Sequence, residues 1–175
     1  MFFLFVKLPT KLLDKNINRN KSKRTNVQRV LKNTEEELIS VGSLKDNKLV
    51  TLPESLFSNN TKLVTLDLEN NLLVSLPESI FSNNKNLQIL DLEKNKLVTL
   101  PKDLFLNTNL AELYIGSNNL VYLPTDLLVS NTNLETLYLG SNKLVRLPEG
   151  LFSNNKKLQI LGLENNMLAS LQEGI

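Results

Sequence analysis

The sequence contains neither cysteine nor histidine among its 175 residues. Without cysteine the chain has no disulfide framework, no thiolate zinc site and no cysteine nucleophile. Without histidine it also lacks the side chain most used for acid–base chemistry near neutral pH, which is also the commonest metal ligand. Most hydrolase and metalloenzyme designs are therefore excluded, and the sequence predicts a protein that is not an enzyme and carries no cofactor.

Long apolar runs are missing as well. No stretch approaches the roughly eighteen consecutive apolar residues that a membrane-spanning helix needs. The first six residues are apolar, but Lys7 ends this run before it reaches the length of a signal-peptide core, and no basic residue precedes it. The sequence thus predicts no transmembrane segment and shows no convincing signal peptide.

Charge is unevenly distributed along the chain. Residues 1–38 carry 9 Lys and Arg against 4 Asp and Glu, whereas residues 39–175 carry 11 against 14. In the basic lead-in, residues 15–24 are charged and asparagine-rich without an apolar period, which predicts disorder. Residues 27–38 have apolar residues at helical spacing and favour a short helix that caps the following segment.

Leucine, by contrast, is abundant and periodic. The pattern L-x-x-L-x-L-x-x-N-x-L-x-x-L, followed by proline in all copies but the last, recurs at steps of 24, 23, 24 and 24 residues. The five copies begin at Leu63, Leu87, Leu110, Leu134 and Leu158. A weaker first copy begins at Ile39 and has Gly42 in place of a leucine, so it is interpreted as a degenerate or capping repeat.

Each copy alternates apolar and polar residues, as in Leu66-Asp67-Leu68, and this predicts one short half-buried strand. Because one copy separates successive strands, the strands run parallel and the rest of each copy forms the crossover. The asparagine after each strand is interpreted as a structural amide that satisfies turn backbone groups. These residues are Asn47, Asn71, Asn95, Asn118, Asn142 and Asn166.

An aromatic residue follows each Leu-Pro step at one phase. The residues are Phe57, Phe81, Phe105 and Phe152, with Leu128 in the fourth copy. Burying aromatic side chains removes much apolar surface from water, so the recurrence predicts a stacked spine inside the coil. The Leu-Pro step itself predicts an extended, irregular return leg, because proline lacks an N–H and disfavours helix at the preceding residue.

Over about residues 39–175 this pattern resembles the leucine-rich-repeat family. A copy of about 24 residues with Leu-Pro and then Phe resembles the typical subtype, found in extracellular Toll-like and variable lymphocyte receptors. The resemblance implies an α/β fold, a right-handed solenoid with a parallel β-sheet on the concave face and irregular or 3-10 convex segments. The chain departs from this pattern on the convex wall, where it has Ser-Asn-Asn or Asn-Thr-Asn in place of a further leucine that many members carry.

The resemblance further implies a non-catalytic module that binds a protein partner through the concave sheet, receptor- or adhesion-like and extracellular. The cysteine-rich caps of many such receptors are absent, so an intracellular scaffold or signalling adaptor is the alternative. The chain stops at Ile175 without a cap signature. An uncapped repeat end predicts either a fragment of a longer chain or end-to-end self-association.

The outward strand positions give the candidate binding residues. They comprise a carboxylate patch and two neighbouring tyrosines flanked by glycine and serine: Asp67, Glu69, Asp91, Glu93, Glu112, Tyr114 and Tyr138. Exposed tyrosines are enriched at protein interfaces, and the carboxylates favour a partner with a basic surface. The alternative is that the acidic rows keep the sheet soluble and the tyrosines are good strand formers.

Other interpretations of the charged residues are less favoured. Like charges on adjacent strands invite a cation or a basic side chain, but no loop supplies the six or more oxygens that calcium prefers. A glycosidase pair needs a cleft, which an open sheet does not offer. The lead-in has no interleaved aromatics, so no nucleic-acid partner is predicted. Asn20 and Asn59 match the N-glycosylation pattern, which is informative only for a secreted protein.

Overall fold

The structure, a computed structural model, describes residues 40–171. It contains six short strands that form one parallel sheet in sequence order. The strands are β1 (Val41–Ser43), β2 (Thr65–Asp67), β3 (Ile89–Asp91), β4 (Glu112–Tyr114), β5 (Thr136–Tyr138) and β6 (Ile160–Gly162). The predicted solenoid with a parallel sheet is confirmed. The predictions of disorder and a capping helix in the lead-in, and those on Asn20 and the last residue, lie outside the described residues.

The weak first copy forms a complete strand. Gly42 takes the place of the missing leucine and lies opposite Leu66, which in turn lies opposite Leu90. In β2 to β5 the middle residue is a buried leucine and both neighbours are half-buried. One face of the sheet therefore packs into a continuous leucine core, and the other face is left for contact with solvent or a partner.

The recurring asparagines form an inner hydrogen-bonded ladder. Asn71 Nδ2 donates to the carbonyl of Leu68 in its own repeat and to that of Leu44 in the repeat before, while its Oδ1 accepts the Leu49 N–H at 3.1 Å. The same arrangement recurs through Asn166. The structural role predicted for these residues is confirmed: Asn47 bonds turn carbonyls of its own repeat, and each amide from Asn71 to Asn166 also ties its repeat to the one before.

The residue before each ladder asparagine has a left-handed backbone conformation. Its φ lies between 53 and 58° in all six repeats, at Asp46, Asn70, Lys94, Ser117, Ser141 and Asn165. Residues with a β-carbon adopt this conformation at a cost of about 1–2 kcal/mol each. The turn that ends each strand is therefore imposed by the buried amide ladder rather than by a glycine.

The aromatic spine is also confirmed. The rings of Phe57 and Phe81 are 6.0 Å apart, those of Phe81 and Phe105 are 6.4 Å apart, and both pairs are stacked. Leu128 continues the spine fully buried, and Phe152 packs against the core partly buried. This row supports the convex side from within, because each ring fills the space between consecutive turns of the coil.

The polar stretches behind the spine form a second buried row, which the sequence did not reveal. Its members are Asn60, Asn84, Thr108, Asn131 and Asn155. Asn84 Nδ2 donates to the carbonyls of Phe57 and Asn60, and Asn155 Nδ2 donates to those of Leu128 and Asn131. At this wall Asn84, Asn131 and Asn155 bond backbone carbonyls of the preceding repeat, and Thr108 bonds the Phe105 carbonyl of its own repeat.

The return legs are built from tight turns, and residues 40–171 contain no helix. In the first return leg, successive N–H groups bond carbonyls three residues back, from Leu56 to Pro53, Ser58 to Ser55 and Asn60 to Phe57, at 3.0–3.2 Å. Consequently the described part of the chain has no helix long and apolar enough to cross a membrane.

In the sixth repeat the core leucines Leu158, Leu161, Leu163 and Leu168 are only partly buried.

Candidate partner-binding face

The solvent-facing side of the sheet carries three rows of side chains, one residue per repeat in each row. The first row is Val41, Thr65, Ile89, Glu112, Thr136 and Ile160, and the middle row is Ser43, Asp67, Asp91, Tyr114, Tyr138 and Gly162. The last row follows the strands and contains Lys45, Glu69, Glu93, Gly116, Gly140 and Glu164. All seven residues predicted from the sequence lie in these rows, so the structure brings them onto one surface.

The carboxylates of the middle row lie side by side on β2 and β3. Asp67 pairs in register with Asp91, and in each case Oδ1 accepts the N–H of the glutamate two residues on, at 2.9 Å. Burial, and then the charges of Asp67, Glu93 and Glu69, raises the pKa of Asp91 to about 6. Burial likewise raises the pKa of Asp67. This part of the face thus holds negative charge at a cost.

Glu69 is the buried member of the acidic patch, and the chain supplies its own counter-charges. Its side chain is only 10% exposed and its carboxylate bonds Lys45 and Lys94. These two hydrogen bonds lower the pKa of Glu69. Carboxylate oxygens of Asp67, Glu69 and Asp91 lie within 4.8 Å of one another. Since Glu69 already bonds two lysines, the predicted need for a cation or basic side chain is met here from within the chain.

The tyrosines occupy the other half of the middle row. Tyr114 and Tyr138 are paired in register on β4 and β5, and their rings stack with centroids 5.5 Å apart. Tyr114 Oη donates to Glu112 Oε2 at 2.6 Å, and this hydrogen bond, with burial, raises the pKa of Tyr114 to about 12. Two aromatic rings held together on a sheet face provide a rigid apolar contact surface with polar edges.

Three glycines lie beside the tyrosine pair, and neighbouring side chains lie close above them. The last row has no side chain at Gly116 and Gly140, and the middle row has none at Gly162. A Cβ on Gly116 would lie 2.7 Å from Glu93 Oε1, and one on Gly140 would overlap the Glu164 carboxylate. A Cβ on Gly162 would lie 2.6 Å from Tyr138 Cδ1. We call Gly116, Gly140 and Gly162 the glycine floor.

Glu164 is a member of this site that the sequence reasoning missed. The prediction stopped at the two tyrosines, because the acidic patch ended at Glu112 two repeats earlier. A row-by-row reading of the last positions, which runs Glu, Glu, Gly, Gly, Glu over β2 to β6, carries the missing signal. In the structure Glu164 reaches back over Gly140 and beside Tyr138.

A second surface on the flank of the coil also went unrecognised in the sequence. It is a row of half-exposed valines, each three residues after a ladder asparagine: Val50, Val74, Val98, Val121 and Val145. Beside this row, Tyr122 and Arg146 line a shallow groove of about 370 Å³ with Pro148 and Glu149. This flank is separate from the rows on the sheet face, and it provides matched exposed residues for control substitutions.

Comparisons with known proteins agree with the architecture. The family model for the leucine-rich repeat matches residues 43–97, 61–107 and 108–168. A chain in the structure of the Toll–Spätzle complex, described as a molecular hub in Drosophila development and innate immunity, is similar at 33% identity with a TM-score of 0.54. The match covers 73% of this chain and 20% of that one, so the chain spans about a fifth of its length. No curated protein matches. The chain therefore belongs to the leucine-rich-repeat family.

Proposed function

We propose that this chain is a non-catalytic module that binds a protein partner through the open face of its sheet. The observation that carries the proposal is the stacked pair of Tyr114 and Tyr138, which the register places side by side and only half-buried. Large aromatic side chains fixed at the centre of a surface are where binding energy concentrates. The leucines beneath repeat almost unchanged, whereas the outward residues differ from repeat to repeat.

The chemistry of the face suggests the kind of partner. Asp67, Asp91, Glu93 and Glu112 join the tyrosines on one surface, and only Glu69 is held by lysines of the described chain. A partner with a basic surface would be steered to this face by charge. The similar chain comes from a structure of a complex between Toll and Spätzle, and leucine-rich repeats are typically interaction modules.

We propose a receptor- or adhesion-like role outside the cell, which the likeness to a chain of the Toll–Spätzle complex structure supports. The alternative is an intracellular scaffold or adaptor. Asn59 separates the two, because it is exposed, it begins an Asn-Asn-Thr acceptor pattern and it is glycosylated only on export. When the full chain is expressed in its own host, a peptide-mass shift at Asn59 that is removed by glycosidase supports the extracellular role. An unmodified Asn59 contradicts it when a known glycoprotein expressed in the same host is fully glycosylated.

Self-association through the sixth repeat is a separate proposal. Its core leucines are partly exposed, whereas the equivalent leucines of the fifth repeat are at most 1% exposed, for example Leu161 against Leu137. Apolar surface at the end of a coil favours stacking of further repeats. Light scattering of the full chain tests this: a mass that rises with concentration supports it, and a constant monomer mass contradicts it.

Capture of a partner tests the main proposal. The wild-type chain is immobilised, its specifically retained proteins are identified and purified, and their direct binding is then measured against variants. Tyr114→Ala with Tyr138→Ala is expected to abolish binding, while the matched flank variant Tyr122→Ala, at a tyrosine 54% exposed, leaves binding unchanged. Far-ultraviolet circular dichroism confirms that each variant folds. Binding that survives the double variant but is lost in Tyr122→Ala would move the site to the flank.

A further inference from the structure

The tyrosine stack ends at a residue without a side chain. Tyr114 is covered on one side by Tyr138, but the next member of the middle row is Gly162, which has no side chain to continue the stack. The ring of Tyr138 instead lies directly above Gly162, with Cδ1 and Cε1 at 2.6 and 3.0 Å from the position of an added Cβ. The tyrosine stack is therefore presented toward β6 without an aromatic or aliphatic neighbour in its own row.

An unpaired carboxylate lies at the same position. Glu164 Oε2 is 3.3 Å from the point above Gly162 that the Tyr138 ring also approaches, and its carboxylate covers Gly140. On the other side of the glycine floor, Glu93 Oε1 lies over Gly116. The ion pairs of residues 40–171 join Lys45 and Lys94 to Glu69 and Lys102 to Asp126, and none involves Glu93 or Glu164. The Glu93 and Glu164 carboxylates thus cover the floor from opposite sides without an ion pair among these residues, although the charge of Lys94 interacts with that of Glu93 at longer range.

One chemical group satisfies an aromatic ring and a neighbouring carboxylate at once. A guanidinium is planar, stacks on an aromatic ring and donates several N–H bonds in a fixed fork that fits carboxylates. A lysine ammonium is a hydrated point charge that does not stack and donates from a single nitrogen. Because Gly116, Gly140 and Gly162 have no side chains, the two carboxylates and the Tyr138 ring lie close against the sheet, and a flat group would bind on top of them.

We infer that the partner of this face presents an arginine, whose guanidinium stacks on the ring of Tyr138 and pairs with the carboxylate of Glu164 beside Gly162. This inference rests on the proposed function and specifies the partner's chemistry at one position. The arginine completes the tyrosine stack and neutralises Glu164, whereas Glu93 lies over Gly116, two strands from Gly162. Asp91 and Glu112, farther along the face, add to the negative potential that attracts it.

A small probe tests the inference without knowledge of the partner. The ¹⁵N-labelled full chain is titrated with N-acetylarginine amide and with N-acetylcitrulline amide, which has the same shape but no charge. The chain has only six glycines, whose amide signals fall in a distinct region of the spectrum. We expect the arginine probe to shift the signals of Gly140 and Gly162, which lie beside Glu164 and Tyr138, and to leave Gly150, on a return leg, unmoved.

Variants assign the charge. Glu164→Gln keeps the shape of the side chain, and removal of a charge-assisted hydrogen bond is expected to weaken arginine binding by about tenfold. Glu149→Gln, at an exposed glutamate on the flank, is the matched control and should bind as the wild type does. Tyr138→Leu removes the ring and should weaken binding while the spectrum of the rest of the chain is preserved.

Several outcomes overturn the inference. Equal shifts with the citrulline probe, or unchanged affinity in Glu164→Gln, would each show that the site does not select an arginine. If arginine fails to bind while the double tyrosine variant still loses partner capture, the proposed function stands and only the inference fails. If arginine binds at the floor and partner capture ignores the tyrosines, the proposed function fails instead.

Discussion

The side-chain amide of Asn95 joins two repeats, because its Oδ1 accepts the backbone N–H of Leu73 at 3.1 Å. Its Nδ2 also donates to the carbonyls of Leu68 in the preceding repeat and Leu92 in its own, at 3.0 and 3.1 Å. One buried side chain thus satisfies three backbone groups that the parallel sheet leaves without partners. Recurrence of this bond along the coil fixes the spacing of the strands, and so the spacing of the side chains on the binding face.

Substitution of Asn95 by alanine should lower the free energy of unfolding by about 2–4 kcal/mol, since a buried N–H loses its acceptor and two carbonyls lose a donor. Urea denaturation monitored by circular dichroism measures the effect. Asn47→Ala is the control, because Asn47 Oδ1 has no hydrogen-bond partner in the part of the chain that the structure describes. An equal loss at both positions would contradict the role assigned to the Oδ1 bond.

The aromatic spine predicts a difference between two substitutions at Phe81. Phe81→Ala removes a ring that stacks on both Phe57 and Phe105, and it should lower stability by about 3–5 kcal/mol. Phe81→Leu should cost only about 1 kcal/mol, because Leu128 occupies the equivalent place fully buried. Thermal and urea unfolding give both values. A leucine variant as unstable as the alanine variant would show that ring stacking, rather than volume, maintains the spine.

The raised pKa of Asp91 predicts how stability depends on pH. In the unfolded chain this carboxyl titrates near its ordinary value of 3.8, and in the folded chain near 6. Between these values the folded state binds more protons, so Asp91 makes stability fall as pH rises through this window, and above pH 6 its full destabilising effect is present. Asp91→Asn should therefore be more stable than the wild type at pH 7–8. Below about pH 4 the two proteins should be equally stable, because the Asp91 carboxyl is then protonated in both the folded and the unfolded chain.

The gain at neutral pH should be on the order of 1 kcal/mol, because solvent partly screens the half-buried Asp91 carboxylate. The amide oxygen of asparagine can still accept the Glu93 N–H, so the turn is preserved. Urea unfolding of both proteins from pH 3.5 to 8 measures the difference. A variant that is less stable than the wild type at pH 8 would show that the Asp91 charge is stabilised by its surroundings rather than strained.

Gly162→Ala should disturb the tyrosine stack while leaving the fold intact. The new Cβ would lie 2.6 Å from a ring carbon of Tyr138, so the ring must move away from Gly162 and its stacking on Tyr114 changes. We expect a change in the tyrosine near-ultraviolet circular dichroism and weaker partner binding, with a loss of stability within about 1 kcal/mol.

Gly42→Ala is the matched control for Gly162→Ala, because its Cβ meets Leu63 and Leu66 only at 3.4 and 3.5 Å. It should leave the tyrosine signal unchanged and raise stability by about 0.4–1 kcal/mol, through the smaller entropy of the unfolded chain. An identical tyrosine signal in the Gly162→Ala protein would mean that the ring does not depend on the glycine for its position.

Much of the fold could be predicted because the repeat places the same demand on the same residue type. Equivalent positions have the same environment in consecutive repeats. Leucines at the middle of each strand are buried, asparagines after the strands bond the turns, and phenylalanines of the return legs stack, as at Leu66 and Leu90, Asn71 and Asn95, and Phe57 and Phe81. Periodicity of this kind survives in a single sequence. The second buried row escaped prediction because Asn60 and Thr108 also fit an exposed turn, and only the packing of consecutive return legs shows that they face inward.

The site was predicted in composition but not in its connections. The sequence placed Glu69 and Asp91 on one face. It could not show that Lys45 and Lys94 form ion pairs with Glu69, or that burial raises the pKa of Asp91. Glu164 was missed because its importance depends on the direction in which a flexible side chain turns. That direction is set by empty space above Gly140, which appears only when the strands are side by side.

The sequence by itself determined that the chain forms successive parallel strands with leucines on one side and polar residues on the other, because a period near 24 residues repeats the alternation without interruption. The tertiary structure alone decided which outward side chains meet. Tyr114 and Tyr138 are 24 residues apart in the chain but 5.5 Å apart as rings, and the register between strands brings them together. Contacts across repeats depend on that register and on side-chain rotamers, so they arise only when the whole coil is assembled.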